Sequence, residues 1–329
     1  MEIFPGVHQI ASRFEGRNLF QYLFVGERIV LLDTGIDRTP ETVIFPYLKG
    51  LGLAPQQLDI AITLHPDLDH QGGNAALRAA HPGIVLAAHE FDRALIESPQ
   101  RLFDERYNHL RRDHGVGLDL ASLPLAGAPV AVDLGLRGGE TLRIGAGANL
   151  HIWHLPGHAR GHLGVYDPGH RALFSSDAIH GAGCPAANGG LAFGPTYYCV
   201  ASYLATIEFL EGVTLDHIYS GHWPNCHGAE TRRFLAESRS FVERADVLLR
   251  SELLRGDREG CTLAALIDRL GPRLGDWPAS RHQLLMFALH GHLERLCERG
   301  EIEALAGPPV RWRRPDPGLP SAARDNSAH

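Results

Sequence analysis

The chain has 329 residues, of which 44% are hydrophobic, and its formal net charge is −7. This length favours one large domain with a small appendage, and the acidic balance disfavours a protein whose main task is to grip phosphate backbones. Five cysteines without a C-x-x-C pair disfavour a disulfide framework. Neither a signal peptide nor an apolar run of about 18–20 residues is evident, so we expect a cytoplasmic protein without a membrane span.

The first hundred residues alternate strands and helices. Alternating hydrophobicity predicts strands over 7–14, 20–26 and 28–35, and a helix is predicted over 40–51. The apolar run at 60–64 predicts a buried strand, which a polar loop and a helix beginning near Asn74 follow. The strand–loop–helix unit then repeats, which is typical of a layered α/β sheet.

The middle of the chain breaks this pattern once and then resumes it. Residues 99–129 are charged at first and then rich in Gly, Ala, Leu and Pro, so we interpret them as an insertion or lid. Strands are predicted again over 130–177. A Gly-rich irregular segment (178–200), a helix (201–212) and a strand (216–222) follow.

The C-terminal part is predicted to be helical and separate. We expect a catalytic domain over 1–235, a connecting helix over 236–257, a winged-helix-like module over 258–314 and a disordered tail over 315–329. The module has nine Arg and seven Asp or Glu residues and therefore lacks the basic stripe of a nucleic-acid-binding module. Packing, homodimerisation or closure of a substrate pocket is favoured over DNA binding.

Four potential metal ligands directly follow the predicted buried strand at 60–64. His65, Asp67, Asp69 and His70 lie within six residues and precede a Gly-Gly pair. In an extended segment, residues i and i+2 project to the same side, so His65 and Asp67 can approach one metal together. The alternative interpretation is a polar strand-to-helix loop in which Asp69 is the N-cap.

Three further ligand candidates come at the ends of later predicted strands. His158 lies in the segment LPGHARGH, Asp177 closes the strand RALFSSD, and His222 closes the strand DHIYSGH. Because strand ends can converge on one edge of a sheet, these side chains are expected to meet the first four.

With this order of motifs, residues 5–235 resemble the metallo-β-lactamase superfamily, whose pattern is T-H-x-H-x-D-H-x-G-G followed by P-G-H, an Asp and a late His. The resemblance implies a four-layer αββα fold. It also implies that one divalent ion is held by His65, Asp67 and His158, that a second is held by Asp69, His70 and His222, and that Asp177 bridges them. The family's usual second His is Asp67 here, and its threonine is displaced by one position, to Thr63.

The carboxylate of Asp67 bears on the identity of the metal. Zinc is favoured, with iron or manganese as alternatives because carboxylate-rich sites suit them better than all-imidazole sites do. A carboxylate at this position also resembles the di-iron branch of the superfamily. The leading hypothesis is a metal-dependent hydrolase that uses a metal-bridging hydroxide to cleave a lactone, thioester or carboxylic ester of a small molecule. The alternative is a di-iron protein that reacts with oxygen or nitric oxide. A non-enzymatic regulator is disfavoured by the complete ligand set.

The roles of individual residues beyond the ligands rest on proximity to the motifs. Asp69 is expected to orient the hydroxide and to move its proton to the leaving group, which makes it the catalytic residue. His162 is expected either to support a ligand or to lie at the surface. Four residues are candidates for substrate binding, although a loop, core or surface role is at least as compatible with the sequence: Arg160, His180, Tyr197 and Tyr198.

Overall fold

Two β-sheets lie face to face at the centre of the computed structural model, which describes residues 1–255 and 259–315. The first sheet has seven strands in chain order: β1 (Glu2–Phe4), β2 (Val7–Phe14), β3 (Arg17–Val25), β4 (Ile29–Leu32), β5 (Ile60–Thr63), β6 (Val85–His89) and β7 (Leu134–Leu136). Strands β4 to β7 run parallel, because helical segments connect them.

The second sheet contains six strands, which are β8 (Thr141–Gly145), β9 (Ala148–His154), β10 (Leu163–Asp167), β11 (Ala172–Ser176), β14 (His217–Ser220) and β15 (Cys226–His227). Their order is β15-β14-β11-β10-β9-β8. A small hairpin of β12 (Cys184–Pro185) and β13 (Leu191–Phe193) lies between β11 and β14 in the chain. Strands β11 and β14 are parallel, so their carboxyl ends lie at the same edge of the sheet.

The helices lie outside the two sheets. The α-helices are α1 (Phe45–Gly50), α2 (Leu68–Gln71), α3 (Asn74–Ala80), α4 (Arg93–Glu97), α5 (Pro99–Arg101), α6 (Arg111–His114), α7 (Val200–Glu211), α8 (Ala229–Arg255), α9 (Leu263–Leu274) and α10 (Met286–Glu298). Segments Pro40–Ile44 and Leu102–Tyr107 are π-helical, and Pro55–Gln57, Leu120–Ala126 and Ala279–Leu285 are 3-10 helices. No helix within 1–255 and 259–315 is long and apolar enough to cross a membrane.

Three apolar layers hold these elements together. Side chains such as Phe24 and Phe174 fill the space between the two sheets. The outer face of the first sheet packs on α1 and α3 through residues such as Leu31 and Leu48. The outer face of the second sheet packs on α7, α8 and the C-terminal helices. The order helix–sheet–sheet–helix confirms the four-layer fold, since each sheet buries both of its faces.

The C-terminal residues form the expected small module. Helix α9 begins after Thr262, whose hydroxyl accepts a hydrogen bond from the backbone NH of Ala265, and its apolar residues recur at helical spacing on the buried face. Strands β16 (Cys261–Thr262), β18 (Arg311–Arg313) and β17 (Glu303–Leu305) form a three-stranded sheet in that spatial order. Helices and a terminal sheet in this order are the winged-helix-like arrangement.

Some local predictions differ from the structure. The strand expected at 130–135 is the short β7 at Leu134–Leu136. The long helix α8 starts at Ala229, so the predicted boundary at 235 falls inside one continuous helix. The predicted insertion at 99–129 consists of short helical segments. Except for its first residue, the predicted disordered tail at 315–329 lies outside the described residues.

The insertion contacts the C-terminal module directly. The backbone NH of Val310 donates to the carbonyl oxygen of Asp113 at 2.8 Å. Rings of His114 and His290 meet edge to face with centroids 4.8 Å apart. These contacts hold the module against the segment that connects β6 with β7.

The histidines at this contact predict a loss of stability in acid. Burial first, and then the nearby His114 and His109, lower the pKa of His290 to about 3. Because an unfolded histidine takes up its proton near pH 6.5, stability is full above that pH and falls as the pH drops toward 3, by up to ~2 kcal/mol at pH 5. We expect a lower Tm at pH 5 than at pH 7.5, and a smaller difference for His290→Gln. An equal difference in both proteins would contradict this assignment.

Candidate metal centre

The predicted ligands meet where strands of the two sheets end. His65 follows β5, His158 follows β9, and Asp177 follows β11. His222 lies two residues after β14, and all four side chains are buried. The convergence follows from the topology, because parallel strands of a sheet end at the same edge.

The first predicted ligand set forms a close group. Nε2 of His158 lies 2.9 Å from Oδ2 of Asp67, and Nε2 of His65 lies 3.7 Å from the same oxygen. Donor atoms of these three residues lie within 4.8 Å of one another, which is compact enough to hold one metal ion.

The second predicted set lies beside the first. Nε2 of His222 is 3.3 Å from both Oδ2 of Asp69 and Nε2 of His70. Oδ2 of Asp177 lies 3.4 Å from Nε2 of His222 and 3.8 Å from Nε2 of His70. Asp177 also groups with His158, a member of the first set, so its carboxylate lies close to both sets.

The imidazoles are oriented by partners on their other nitrogen. Nδ1 of His70 is 2.9 Å from the carboxylate of Asp33, and Nδ1 of His222 is 2.7 Å from a backbone carbonyl oxygen. Nδ1 of His158 is 3.2 Å from the carbonyl oxygen of Thr196. When an ion binds, donation from Nδ1 to these partners would leave the lone pair of Nε2 for the metal.

Two residues with positive φ support this edge. Asp33 has φ +58° and Ser176 has φ +44°, both in the left-handed region that residues other than Gly rarely adopt. The hydroxyl of Ser176 donates to the carboxylate of Asp33 at 2.8 Å, so the two conformations stabilise each other. Such strained positions concentrate at functional sites.

Unsatisfied buried atoms show that the residues fit a cation. Among the described residues, Nε2 of His65 and Oδ1 of Asp177 are buried polar atoms with no hydrogen-bond partner. The missing side chain of Gly221 leaves room for Asp177 and His70, because a Cβ at this position would lie 2.5 Å from Oδ1 of Asp177 and 2.7 Å from Cε1 of His70. Imidazole nitrogens and carboxylate oxygens at these separations match the ligand chemistry of divalent transition metals.

Buried arginines contact one carboxylate in each set. Nε and Nη2 of Arg106 lie 2.5 and 3.0 Å from the two oxygens of Asp67. Burial opposes ionisation of Asp67, but Arg106 and His158 outweigh it and hold its pKa well below the usual range. Nη2 of Arg17 lies 3.3 Å from Oδ2 of Asp69.

Several carboxylates surround His70 in the second set. Burial opposes protonation of His70, but the carboxylates of Asp177, Asp33 and Asp69 outweigh it and raise the pKa of His70 to about 10. Burial likewise raises the pKa of Asp69, yet His70, His222 and Arg17 bring it below its ordinary value. Asp69 is therefore a carboxylate at neutral pH.

The metal centre lies at the floor of a cavity of about 260 Å³. The floor is formed by Asp67, Asp69, His158, Asp177 and His222. The walls are mainly apolar and come from five separated parts of the chain: Phe14, Leu68, Phe103, Tyr107, Leu118, Phe193, Tyr198, Leu284 and Phe287. Arg281 and Glu15 form an ion pair at 3.0 Å in the same lining.

The remaining predicted site residues differ in whether they line the cavity. Tyr198 lines the cavity, and the ring of His162 stacks on that of His65 with centroids 4.8 Å apart. His180 lies beside His158 with ring centroids 4.9 Å apart but is not part of the lining.

Two predicted substrate residues are not brought to the cavity. Tyr197 is fully buried, and its hydroxyl lies 2.8 Å from Nε2 of His292 in the C-terminal module. Arg160 is exposed, and its guanidinium lies 4.5 Å from the centroid of the Phe91 ring. Neither lines the cavity.

Three residues of the site were missed by the sequence analysis. Asp33 closes the strand VLLD in the same way that Asp177 closes its strand, so the strand-end pattern could have indicated it. Arg17 and Arg106 follow no motif, and only the three-dimensional structure connects them with the ligands.

Comparison with known proteins identifies the family. The model of the metallo-beta-lactamase superfamily matches residues 19–222, and the chain belongs to this superfamily. A metallo-beta-lactamase family protein from Thermus thermophilus superposes with a TM-score of 0.74 at 23% identity, covering 95% of this chain and 100% of the other. A beta-lactamase domain protein from Burkholderia ambifaria gives a TM-score of 0.72 at 18% identity, covering 96% and 93%. Both establish the similarity of the fold alone.

Similar sequences include two kinds of hydrolase. An acyl-coenzyme A thioesterase of Gallus gallus is 23% identical over 74% of this chain and 85% of its own length. A hydroxyacylglutathione hydrolase of Dechloromonas aromatica is 38% identical over 62% of this chain and 57% of its own length. The superfamily and these relatives indicate a hydrolase.

The space at Gly221 gives a test of the centre. We expect Gly221→Ala to lower the metal content of purified protein at least about tenfold, because the new methyl group would displace Asp177 or His70 from the site. Elemental analysis measures the effect. Gly50→Ala is the matched control, since a Cβ at Gly50 meets nothing within 4 Å. Unchanged metal content in Gly221→Ala would show that the ions bind elsewhere.

Proposed function

We propose that this chain is a binuclear metal-dependent hydrolase that cleaves an ester-like bond in a small molecule with an apolar acyl group, most directly a thioester. The observation that carries the proposal is the position of the ligand sets at the floor of a cavity with apolar walls. The similarity to an acyl-coenzyme A thioesterase supports a thioester over a lactone or a carboxylic ester.

The ligands divide the work of holding the ions. His65, Asp67 and His158 would hold one divalent ion, and Asp69, His70 and His222 would hold the other. When bound, such ions supply a Lewis acid and a water molecule of lowered pKa. Zinc remains favoured because four of these six ligands are imidazoles.

Asp69 is suited to handle the proton of the attacking water. Its carboxylate faces the cavity, is ionised at neutral pH, and is held on one side by Arg17 at 3.3 Å. A fixed carboxylate in this position can accept the proton of the water and pass it to the leaving group. The thiolate of a thioester leaves readily and needs less help from a proton donor than an alkoxide.

The walls are suited to bind the acyl group. Phe287 and Leu284 of the C-terminal module line the cavity together with Phe103 of the insertion and Phe193 of the small hairpin. Burying an aliphatic chain between such side chains contributes about 0.8 kcal/mol per methylene. Because the polar floor lies at one end of these walls, an acyl chain along them brings its carbonyl carbon toward the metal centre.

The di-iron alternative depended on the extra carboxylate of Asp67. In the structure this carboxylate already has a bidentate ion pair with Arg106, so its negative charge is not free to select a harder metal. No other contact of the described site favours redox chemistry over hydrolysis.

The first test concerns Asp69. We expect purified, zinc-loaded protein to hydrolyse acyl thioesters faster than matched lactones, and Asp69→Asn to lower kcat by roughly 10²–10⁴ because proton transfer is lost. Rates are compared at matched metal content, which separates this role from metal binding. Removal of metal with a chelator should abolish both activities. Full activity of Asp69→Asn, or of metal-free protein, would contradict the mechanism.

The second test concerns the acyl wall. Phe287→Ala should move the preferred acyl chain to greater length, with a change of at least ~10-fold in the ratio of kcat/KM for long and short chains, because it enlarges the cavity. Phe209→Ala is a matched control, since Phe209 is 47% exposed and does not line the cavity. An unchanged chain-length profile for Phe287→Ala would place the acyl group elsewhere.

A further inference from the structure

The guanidinium of Arg106 occupies the space where the first metal ion would contact its ligands. Its Nη2 lies 3.0 Å from Oδ2 of Asp67 and 3.3 Å from Nε2 of His158. These two atoms belong to the donors of the first ligand set. Nη2 of Arg106 therefore lies within hydrogen-bond distance of two of the three atoms that the first set would offer to a metal.

Arg106 is held firmly in this position. Its side chain is 5% exposed, and Nη2 also donates to the carbonyl oxygen of His158 at 3.2 Å. The guanidinium lies 4.3 Å from the centroid of the Tyr198 ring, and the hydroxyl of Tyr198 donates to the carbonyl oxygen of Arg106 at 3.2 Å. Because Arg106 is permanently protonated, its positive charge remains beside the first set at every pH at which the protein is folded.

The charge of the two ligand sets differs as a result. The first set contains one carboxylate, Asp67, and Arg106 already neutralises it through two hydrogen bonds. The second set has Asp69 and the adjacent Asp177, while Arg17 makes one longer contact of 3.3 Å with Asp69. Carboxylates outnumber arginines around the second set, because Asp33 also lies there, 2.9 Å from Nδ1 of His70. A divalent cation is therefore attracted more strongly to the second set than to the first, where Arg106 repels it.

We propose that Arg106 makes the two metal positions unequal, so that the second position binds its ion tightly and the first binds weakly. The guanidinium competes with the ion for Asp67 Oδ2 and for the space beside Nε2 of His158. This inference rests on the metal binding proposed above and adds an order of loading to it. The aspartate at position 67, where the family usually has a histidine, is then linked to Arg106. Its carboxylate is the ion-pair partner that offsets the charge of the buried arginine.

The contrary role for Arg106 has the opposite consequence. An arginine that only supported a metal-bound carboxylate from outside would strengthen the site, and its loss would weaken metal binding about 10–100-fold. Competition predicts that its loss strengthens binding at the first position. The sign of the change in affinity therefore separates the two roles.

The first experiment measures metal binding by the unmodified full chain. Zinc is titrated into metal-free protein in competition with a chromogenic chelator of known affinity. We expect one tight ion and a second that binds at least about tenfold more weakly. The tight ion should persist in His65→Ala and be lost in His222→Ala. Two ions of equal affinity, or a tight ion that depends on His65 alone, would overturn the inference. Absence of zinc binding altogether would instead overturn the proposed function.

The second experiment changes the arginine. Arg106→Gln should raise zinc affinity at the first position at least about tenfold and bring the two sites closer together. Arg17→Gln is the matched control, because it removes a buried arginine from the second set and should leave the first position unchanged. Arg106→Lys keeps the positive charge but lacks the planar guanidinium, and the first position should stay weak in this variant. It therefore tests the inference even if Arg106→Gln does not fold. Lower affinity of the first position in Arg106→Gln would assign Arg106 the supporting role and refute competition.

Discussion

Burial of negative charge is the constraint on which the rest of the centre depends. Asp33, Asp67, Asp69 and Asp177 lie together at one edge of two sheets, and water solvates little of their surface. A buried carboxylate is tolerated only where hydrogen bonds and positive charge offset its desolvation. Imidazoles supply part of this offset, Arg17 and Arg106 supply another part, and the orphaned oxygen of Asp177 marks the place where protein groups alone do not complete it.

The sequence predicts the parts of the site that topology brings together. Each ligand candidate ends or follows an apolar strand, and the carboxyl ends of parallel strands share an edge, so periodicity alone places His65, Asp177 and His222 near one another. The layered fold could be predicted for the same reason, since short apolar runs separated by helical segments indicate buried parallel strands. The predicted domain boundary at 235 does not coincide with an end of secondary structure, because α8 runs without a break from Ala229 to Arg255.

Site residues that do not end or follow an apolar strand could not be predicted. Arg106 belongs to the insertion, where a charged stretch is typical of a solvated surface, and only tertiary packing turns this side chain inward against Asp67. Tyr197 and Tyr198 are neighbours in a loop, yet Tyr198 lines the cavity whereas Tyr197 packs against His292. Proximity to a motif in the sequence therefore did not decide which of the two tyrosines lines the cavity.

The division of the cavity between distant parts of the chain has a consequence for its formation during synthesis. The residues of the floor end at His222, whereas Leu284 and Phe287 leave the ribosome more than sixty residues later. Until then, the cavity lacks the part of its apolar wall that Leu284 and Phe287 supply. Domains fold as their residues emerge, and uncovered apolar surface makes such intermediates prone to aggregation. The C-terminal module can therefore cover the cavity only after residues 284–287 have been synthesised.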